Sequence, residues 1–177
     1  MSGPILNLAD VELVPRPAAF AATGSAANHF DARMGQVASR IGARKLGCNV
    51  TAVPPGKAAF PFHCHRVNEE LFLVLEGTGE VRIGEDVYAI RRGDVIACPP
   101  GGHKTAHQIR NTGTEELRYL AVSTRLSPDV AEYPDSRKFG ILAEYEPGPD
   151  GKPRGFRFVG REGLSVGYWS GEGGNDP

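Results

Sequence analysis

The stretch GKAAFPFHCHRVNEELFLVLEG, residues 56–77, holds two histidines and two adjacent glutamates within one short segment. His63 and His65 are separated by one residue, and on a β-strand such residues point to the same face. Their imidazoles would therefore lie side by side. A carboxylate after the following turn could reach them, and Glu69 and Glu70 are the two candidates. They point to opposite faces of the next strand, so only one of them can face the imidazoles.

Two more histidines, His103 and His107, follow downstream. His107 begins a run that reads as a strand, and an antiparallel fold can bring that strand alongside the first pair. Three neutral imidazoles and one carboxylate form a borderline-to-hard set of ligands that suits Fe, Mn, Ni, Cu or Zn as divalent ions. The sequence thus predicts a site for one divalent metal ion and leaves the identity of the metal open.

The rest of the chain reads as short apolar runs separated by turn signals. It contains 23 glycines and 14 prolines and has no long helical period. This pattern of short apolar runs between turn residues indicates an all-β antiparallel barrel or sandwich rather than alternating strands and helices. The predicted strands are residues 46–53, 60–65, 70–75, 80–83, 86–90, 94–98, 107–110 and 117–124.

We expect a single domain over residues 1–177, with the barrel core at about 45–124. An N-terminal arm, 1–43, is predicted to contain one edge strand near 11–14. The C-terminal extension, 125–177, is predicted to be irregular. Its expected elements are a short helix that begins at Ser127 with Pro128 in its first turn, and added strands at 141–145 and 166–169.

Composition excludes several classes of protein. A net charge of −1 with interspersed acidic and basic residues provides no extended basic face for nucleic acid. No apolar run is long enough to span a bilayer, and residues 1–10 do not resemble a secretory signal, so a cytoplasmic location is expected. Cys48, Cys64 and Cys98 are odd in number and lack CxxC spacing, which indicates reduced thiols.

Two motifs resemble those of a known family. Residues 56–77 resemble the first cupin motif, G-x5-H-x-H-x3,4-E-x6-G, and GDVIACPPG at 93–101 with HQIRN at 107–111 resembles the second, G-x5-P-x-G-x2-H-x3-N. The resemblance covers about residues 45–124, with the short inter-motif segment of small bacterial members. It implies the double-stranded β-helix, or jelly-roll, barrel of the cupin superfamily.

The resemblance also selects among the candidate ligands. Glu70, rather than Glu69, leaves six residues before the glycine that ends the first motif. His107, rather than His103, leaves three residues before the asparagine that ends the second. The family's role for the matched positions is to bind one divalent metal inside the barrel. The implied ligands are His63, His65, Glu70 and His107.

The chain departs from the motifs at two loops. Six residues rather than five separate Gly56 from His63, and five rather than two separate Gly101 from His107. The second insertion lengthens the loop that holds His103 and Lys104, which could reach over the site. The candidate substrate contacts are Arg66, His103 and Lys104, which could hold an anion, and Phe72, which could line the cavity near the metal.

Two functional hypotheses follow. In the first, the chain is a metalloenzyme that acts on a small polar molecule inside the barrel, with chemistry of the dioxygenase type or of the sugar or sugar-phosphate isomerase type. In the second, it is a non-catalytic module that binds or senses a small molecule. A homodimer is expected in either case, because the outward side chains of Leu71, Leu73 and Leu75 offer apolar surface for pairing.

Overall fold

The computed structural model describes residues 3–145 and 154–173, and within them the regular structure is almost entirely β. Helical segments in these ranges are short 3₁₀ turns at Leu8–Asp10, Ala18–Phe20, Gly24–Asn28, Ala38–Arg40, His103–Thr105, Pro134–Ser136 and Glu162–Leu164. The strands are β1 Val14–Pro15, β2 Arg33–Gln36, β3 Leu46–Val53, β4 Cys64–His65, β5 Glu70–Glu76, β6 Thr78–Ile83, β7 Asp86–Arg91, β8 Val95–Cys98, β9 His107–Arg110, β10 Leu117–Thr124, β11 Asp129–Tyr133, β12 Lys138–Tyr145 and β13 Arg154–Gly160. The predicted all-β class is confirmed.

The described strands form three antiparallel sheets. A six-stranded sheet has the order β1-β2-β3-β10-β5-β8, and a three-stranded sheet has the order β7-β6-β9. A four-stranded sheet, β13-β12-β11-β4, joins the C-terminal extension to the strand that carries His65. Sequence neighbours such as β6 and β7 pair through the tight turn at Gly84, whose φ of 57° is one that glycine adopts readily.

Alternation along the strands fills the interior. On β5, Phe72 and Val74 are buried, while Leu71 is 40% exposed on the outer face. The interior cluster also includes Val53, Leu117 and other residues of the six- and three-stranded sheets. This core supports the strands that present the candidate ligands.

The N-terminal arm lies against the outer face of the six-stranded sheet. Val11 and Val37 pack with Val50 in a second apolar cluster. The predicted edge strand is present but shifted to Val14–Pro15, and it pairs with β2, a strand that was not predicted from the sequence.

Three predictions for the C-terminal extension are wrong. The extension is not irregular, because β11, β12 and β13 form a sheet with β4. The segment after Ser127 is the strand β11 rather than a helix, because it pairs with β4 on one side and β12 on the other, and this pairing outweighs the capping signal. Residues 166–169 form no strand, and Trp169 is exposed there. The expected strand at 141–145 is confirmed as part of β12, and β13 was not predicted.

Helices long and apolar enough to cross a bilayer do not occur in the portions of the chain that the structure describes.

Candidate metal centre

The backbone brings the two sequence motifs together at His63 and His107. The amide of His63 donates to the carbonyl of His107 at 3.1 Å, and the amide of His107 donates back to the carbonyl of His63 at 2.7 Å. His65 lies two residues further along in β4, and Glu70 begins β5. All four predicted ligands therefore come from short segments whose positions are set by strand pairing.

Their side chains converge on a single carboxylate oxygen. The Nε2 atom of His107 lies 2.9 Å from Oε2 of Glu70, and the Nε2 atoms of His63 and His65 each lie 3.6 Å from it. His63, Glu70 and His107 form a compact group whose ligand atoms are all within 4.8 Å of one another. His65 is outside that group, although its Nε2 faces the same oxygen.

Each imidazole has its other nitrogen next to an oxygen acceptor. The Nδ1–H of His63 donates to the carbonyl of Pro61 at 2.9 Å. The Nδ1–H of His107 donates to the carbonyl of Thr105 at a longer 3.4 Å. The Nδ1–H of His65 donates to Oδ2 of Asp129 at 2.6 Å. With the proton on Nδ1, the Nε2 lone pair of each ring is free to bind a metal.

Electrostatics keep the acidic groups of the cluster ionised. Burial by itself would raise the pKa of Glu70, but the neighbouring imidazoles of His107, His63 and His65 lower the pKa by more, to well below the usual range. The pKa of Asp129 is also lowered, because hydrogen bonds from Asn68 and His65 outweigh its burial. Both carboxylates are therefore negative near neutral pH.

The dimensions of the cluster fit a divalent ion. Nitrogen and oxygen ligands lie about 2.0–2.2 Å from metals such as zinc, so two ligands at octahedral or tetrahedral angles are roughly 2.8–3.6 Å apart. The three nitrogen-to-oxygen separations of 2.9, 3.6 and 3.6 Å fall in that range. Electron-pair donors that converge in this way repel one another unless a cation lies between them. His63, Glu70 and His107 thus fit a metal ion, and His65 faces the same carboxylate oxygen from outside their compact group.

Two residues near the cluster were not assigned a role from the sequence. Asp129 lies in the segment that was expected to be a helix, and its Oδ2 accepts from His65 at 2.6 Å. The ring of Tyr133 stacks on that of His63 with centroids 6.1 Å apart and an interplanar angle of 21°. Both lie on β11, and only the pairing of that strand with β4 brings them close.

A small cavity opens onto the cluster. Its volume is about 180 Å³, and His65, Glu70 and Asp129 line it on one side. Most of the other lining groups are polar, and two of them, Arg125 and Glu144, form an ion pair at 2.9 Å. The remaining lining residues are Asn68, Ser123, Thr124, Leu126, Ser127 and Leu142.

The predicted substrate contacts are spread over different environments. Phe72 is buried, and its ring centroid is 5.5 Å from that of His107. Arg66 is paired with Glu132 at 2.6 Å and, with His103, lines a separate cavity of about 800 Å³. Lys104 is exposed and is not among the residues that line that cavity. Substrate contact by any of these residues stays a prediction.

Comparison with known proteins identifies the family. A family model described as a cupin domain matches residues 49–123, the segment that holds all four candidate ligands. The chain belongs to the cupin superfamily. Its barrel is accordingly the jelly-roll, or double-stranded β-helix, fold that the motifs predicted.

Three relatives show how far the similarity of this cupin extends. An uncharacterized protein of Methanocaldococcus jannaschii is 35% identical over 71 residues, which are 40% of this chain and 54% of that protein, so the chain matches about half the length of this curated relative. A structure from Acidithiobacillus ferrooxidans, named as a candidate sugar phosphate isomerase, is 30% identical, with 71% of this chain and 76% of that one covered and a TM-score of 0.59. A cupin structure from Silicibacter pomeroyi, named a sugar phosphate isomerase, is 21% identical, with 92% and 95% covered and a TM-score of 0.72. At that identity the last similarity concerns the fold alone.

Proposed function

We propose that this cupin is a metal-dependent enzyme of the isomerase type that acts on a small polar molecule, such as a sugar or sugar phosphate. The observation that carries the proposal is the convergence of three imidazole Nε2 atoms on one oxygen of Glu70, at 2.9–3.6 Å. The Acidithiobacillus ferrooxidans relative, 30% identical and named as a candidate sugar phosphate isomerase, favours this chemistry over oxygenation.

The cavity at the cluster limits the size and polarity of the substrate. Its volume of about 180 Å³ is below the roughly 300–1,000 Å³ of typical drug-sized ligand sites. Its wall combines apolar surface with the polar side chains of Asn68, Ser123 and Thr124, of which Asn68 and Thr124 hydrogen-bond to each other at 2.8 Å. A small molecule with both polar and apolar faces, such as a sugar, matches this lining.

The roles of the side chains follow from their geometry. A divalent ion bound here would polarise a carbonyl or hydroxyl oxygen of a chelating substrate. Glu70 would supply the negative charge that holds the ion, and the three imidazoles would supply neutral nitrogen ligands. Phe72 packs beside His107 and against Tyr119, with ring centroids 5.7 Å apart in the second contact, and so keeps water out of the barrel side of the cluster.

Metal content and turnover test the proposal together. We expect protein purified without chelators to contain about one divalent ion per chain by elemental analysis. The variants His63→Ala and His107→Ala should lose both the ion and isomerase activity on a panel of sugars and sugar phosphates. His29→Ala is the matched control, because His29 is exposed and lies outside the cluster; it should keep both.

The other outcomes point to different functions. Binding of a metabolite in calorimetry without conversion would favour a non-catalytic binding or sensing module. Bound iron with substrate-dependent consumption of oxygen would favour a dioxygenase. Full activity of His63→Ala in metal-free buffer would refute a metal-dependent reaction altogether.

A further inference from the structure

The three imidazoles of the cluster are held in different ways. His63 and His107 clamp each other through their reciprocal backbone hydrogen bonds, and their Nδ1 atoms face carbonyls two residues away along the chain. His65 instead faces the carboxylate of Asp129, which is 64 residues away in sequence. At its Nδ1 side, therefore, only the ring of His65 among the three is held by a charged side chain from another strand.

His65 is also the most exposed of the three rings. Its side chain is 24% exposed, compared with 12% for His63 and 4% for His107. Its Nε2 lies outside the compact group formed by the other ligands. Without an external constraint, the ring could rotate or carry its proton on Nε2, and either change would remove it from the site.

Asp129 is itself fixed in place. The residue is 6% exposed, and its second carboxylate oxygen, Oδ1, accepts the amide of Val67 at 3.1 Å. It starts β11, whose pairing with β4 sets Ala131 opposite His65. The neighbouring side chain of Asn68 is anchored in turn, because its Oδ1 accepts from the amide of Leu126 at 2.7 Å and its Nδ2 donates to the carbonyl of the same residue at 3.0 Å. The carboxylate is thus a rigid acceptor for the imidazole.

We infer that Asp129 is a positioning residue. It holds His65 in the Nδ1–H tautomer, so that His65 can be the fourth ligand of the metal centre. A carboxylate behind a ligating histidine fixes the ring and raises its basicity, and loss of such a partner typically weakens metal binding about 10–100-fold. This role rests on the proposed metal-dependent function. It places part of the centre in the C-terminal extension, outside the segment that matches the family model.

Titration of the metal-free protein with Co(II), followed by its visible absorption, tests the inference. We expect Asp129→Asn to weaken Co(II) binding about 10–100-fold and to shift the absorption bands, because one ligand is displaced. Asp129→Glu, which keeps the carboxylate, should recover part of the affinity. Asp135→Asn is the matched control, since Asp135 is exposed and pairs with Arg82 rather than with a histidine; it should bind as the wild type does.

A double-mutant cycle with His65→Ala separates positioning from general destabilisation. If Asp129 acts through the imidazole, Asp129→Asn should have no additional effect on Co(II) affinity once His65 is removed. Additive losses in the cycle, or wild-type affinity and spectrum in Asp129→Asn, would overturn the inference. Urea unfolding of each metal-free variant verifies that the fold is retained.

A metal-independent measurement distinguishes failure of this inference from failure of the proposed function. Nitrogen-15 NMR of the metal-free protein reports which ring nitrogen of His65 carries the proton. We expect the Nδ1–H form in the wild type and a mixture or the Nε2–H form in Asp129→Asn. If that change occurs but no metal binds, the proposed function fails while the positioning stands; an unchanged tautomer contradicts the positioning whatever the metal content.

Discussion

Replacement of Asn111 by alanine should destabilise the barrel more than any surface substitution. Its side chain is fully buried and makes three hydrogen bonds. The Nδ2 group donates to the carbonyls of Val53 and Glu115, both at 2.8 Å, and Oδ1 accepts from the amide of Gly113 at 2.9 Å. These bonds tie the end of β3 to the turn between β9 and β10, so the asparagine that ends the second motif is a structural residue.

The magnitude follows from that count of bonds. Each buried hydrogen bond contributes about 0.5–1.5 kcal/mol net, so the loss of three costs about 3 kcal/mol. For a chain of this size, each kcal/mol lowers the melting temperature by about 2–4 °C, which corresponds to a decrease of roughly 6–12 °C. Asn111→Asp should be at least as damaging, because a buried carboxylate would face two carbonyl oxygens that now accept hydrogen bonds.

Thermal and urea unfolding of the metal-free variants measure this effect. Asn28→Ala is the control, because Asn28 is exposed, and we expect its stability to match that of the wild type within about 0.5 kcal/mol. A loss below about 1 kcal/mol for Asn111→Ala would show that the three bonds do not hold the turn, and a structural role for this asparagine would be refuted.

Two further predictions concern the thiols and the outer surface. Burial, together with the nearby charge of Glu70, raises the pKa of the Cys98 thiol to about 12. A thiol reagent at pH 8 should therefore modify the partly exposed Cys48 first and Cys98 only after unfolding. Rapid labelling of Cys98 in the native protein would contradict its burial. The exposed apolar side chains of Leu71 and Val95 lie on neighbouring strands, and Leu71→Arg should convert the expected homodimer to a monomer in analytical ultracentrifugation, whereas a wild-type monomer at micromolar concentration would argue against the dimer.

Local sequence patterns were sufficient for most strands of the barrel. The predicted strand at 60–65 is wrong over most of its length, because only Cys64–His65 is a strand and His63 forms an isolated bridge with His107. The predicted runs at 46–53, 107–110 and 117–124 coincide with β3, β9 and β10, because their alternation and their flanking turn residues are both short-range signals. The face of Glu70 could be predicted from the same alternation, since Phe72 and Val74 follow it into the interior.

Long-range pairing explains the features that could not be predicted from the sequence. Ser127 and Pro128 are good helix-start residues, yet the segment that follows them becomes a strand because β4 offers an edge for it to pair with. No short-range pattern records that pairing. For the same reason Asp129 and Tyr133 could not be assigned to the cluster, although each contacts one of its histidines.

The motif-bearing strands and the C-terminal extension contribute different residues to the candidate site. The motif-bearing strands supply the four candidate ligands, which are shared features of the fold, whereas the extension supplies Leu142 and Glu144 in the cavity wall and Asp129 behind His65. Changes in the extension can therefore alter the shape of the cavity and the strength of the fourth ligand without any change in the motifs. The ligand positions thus indicate where a metal would bind, and we expect the residues of β11 and β12 that line the cavity to influence which molecule can reach it.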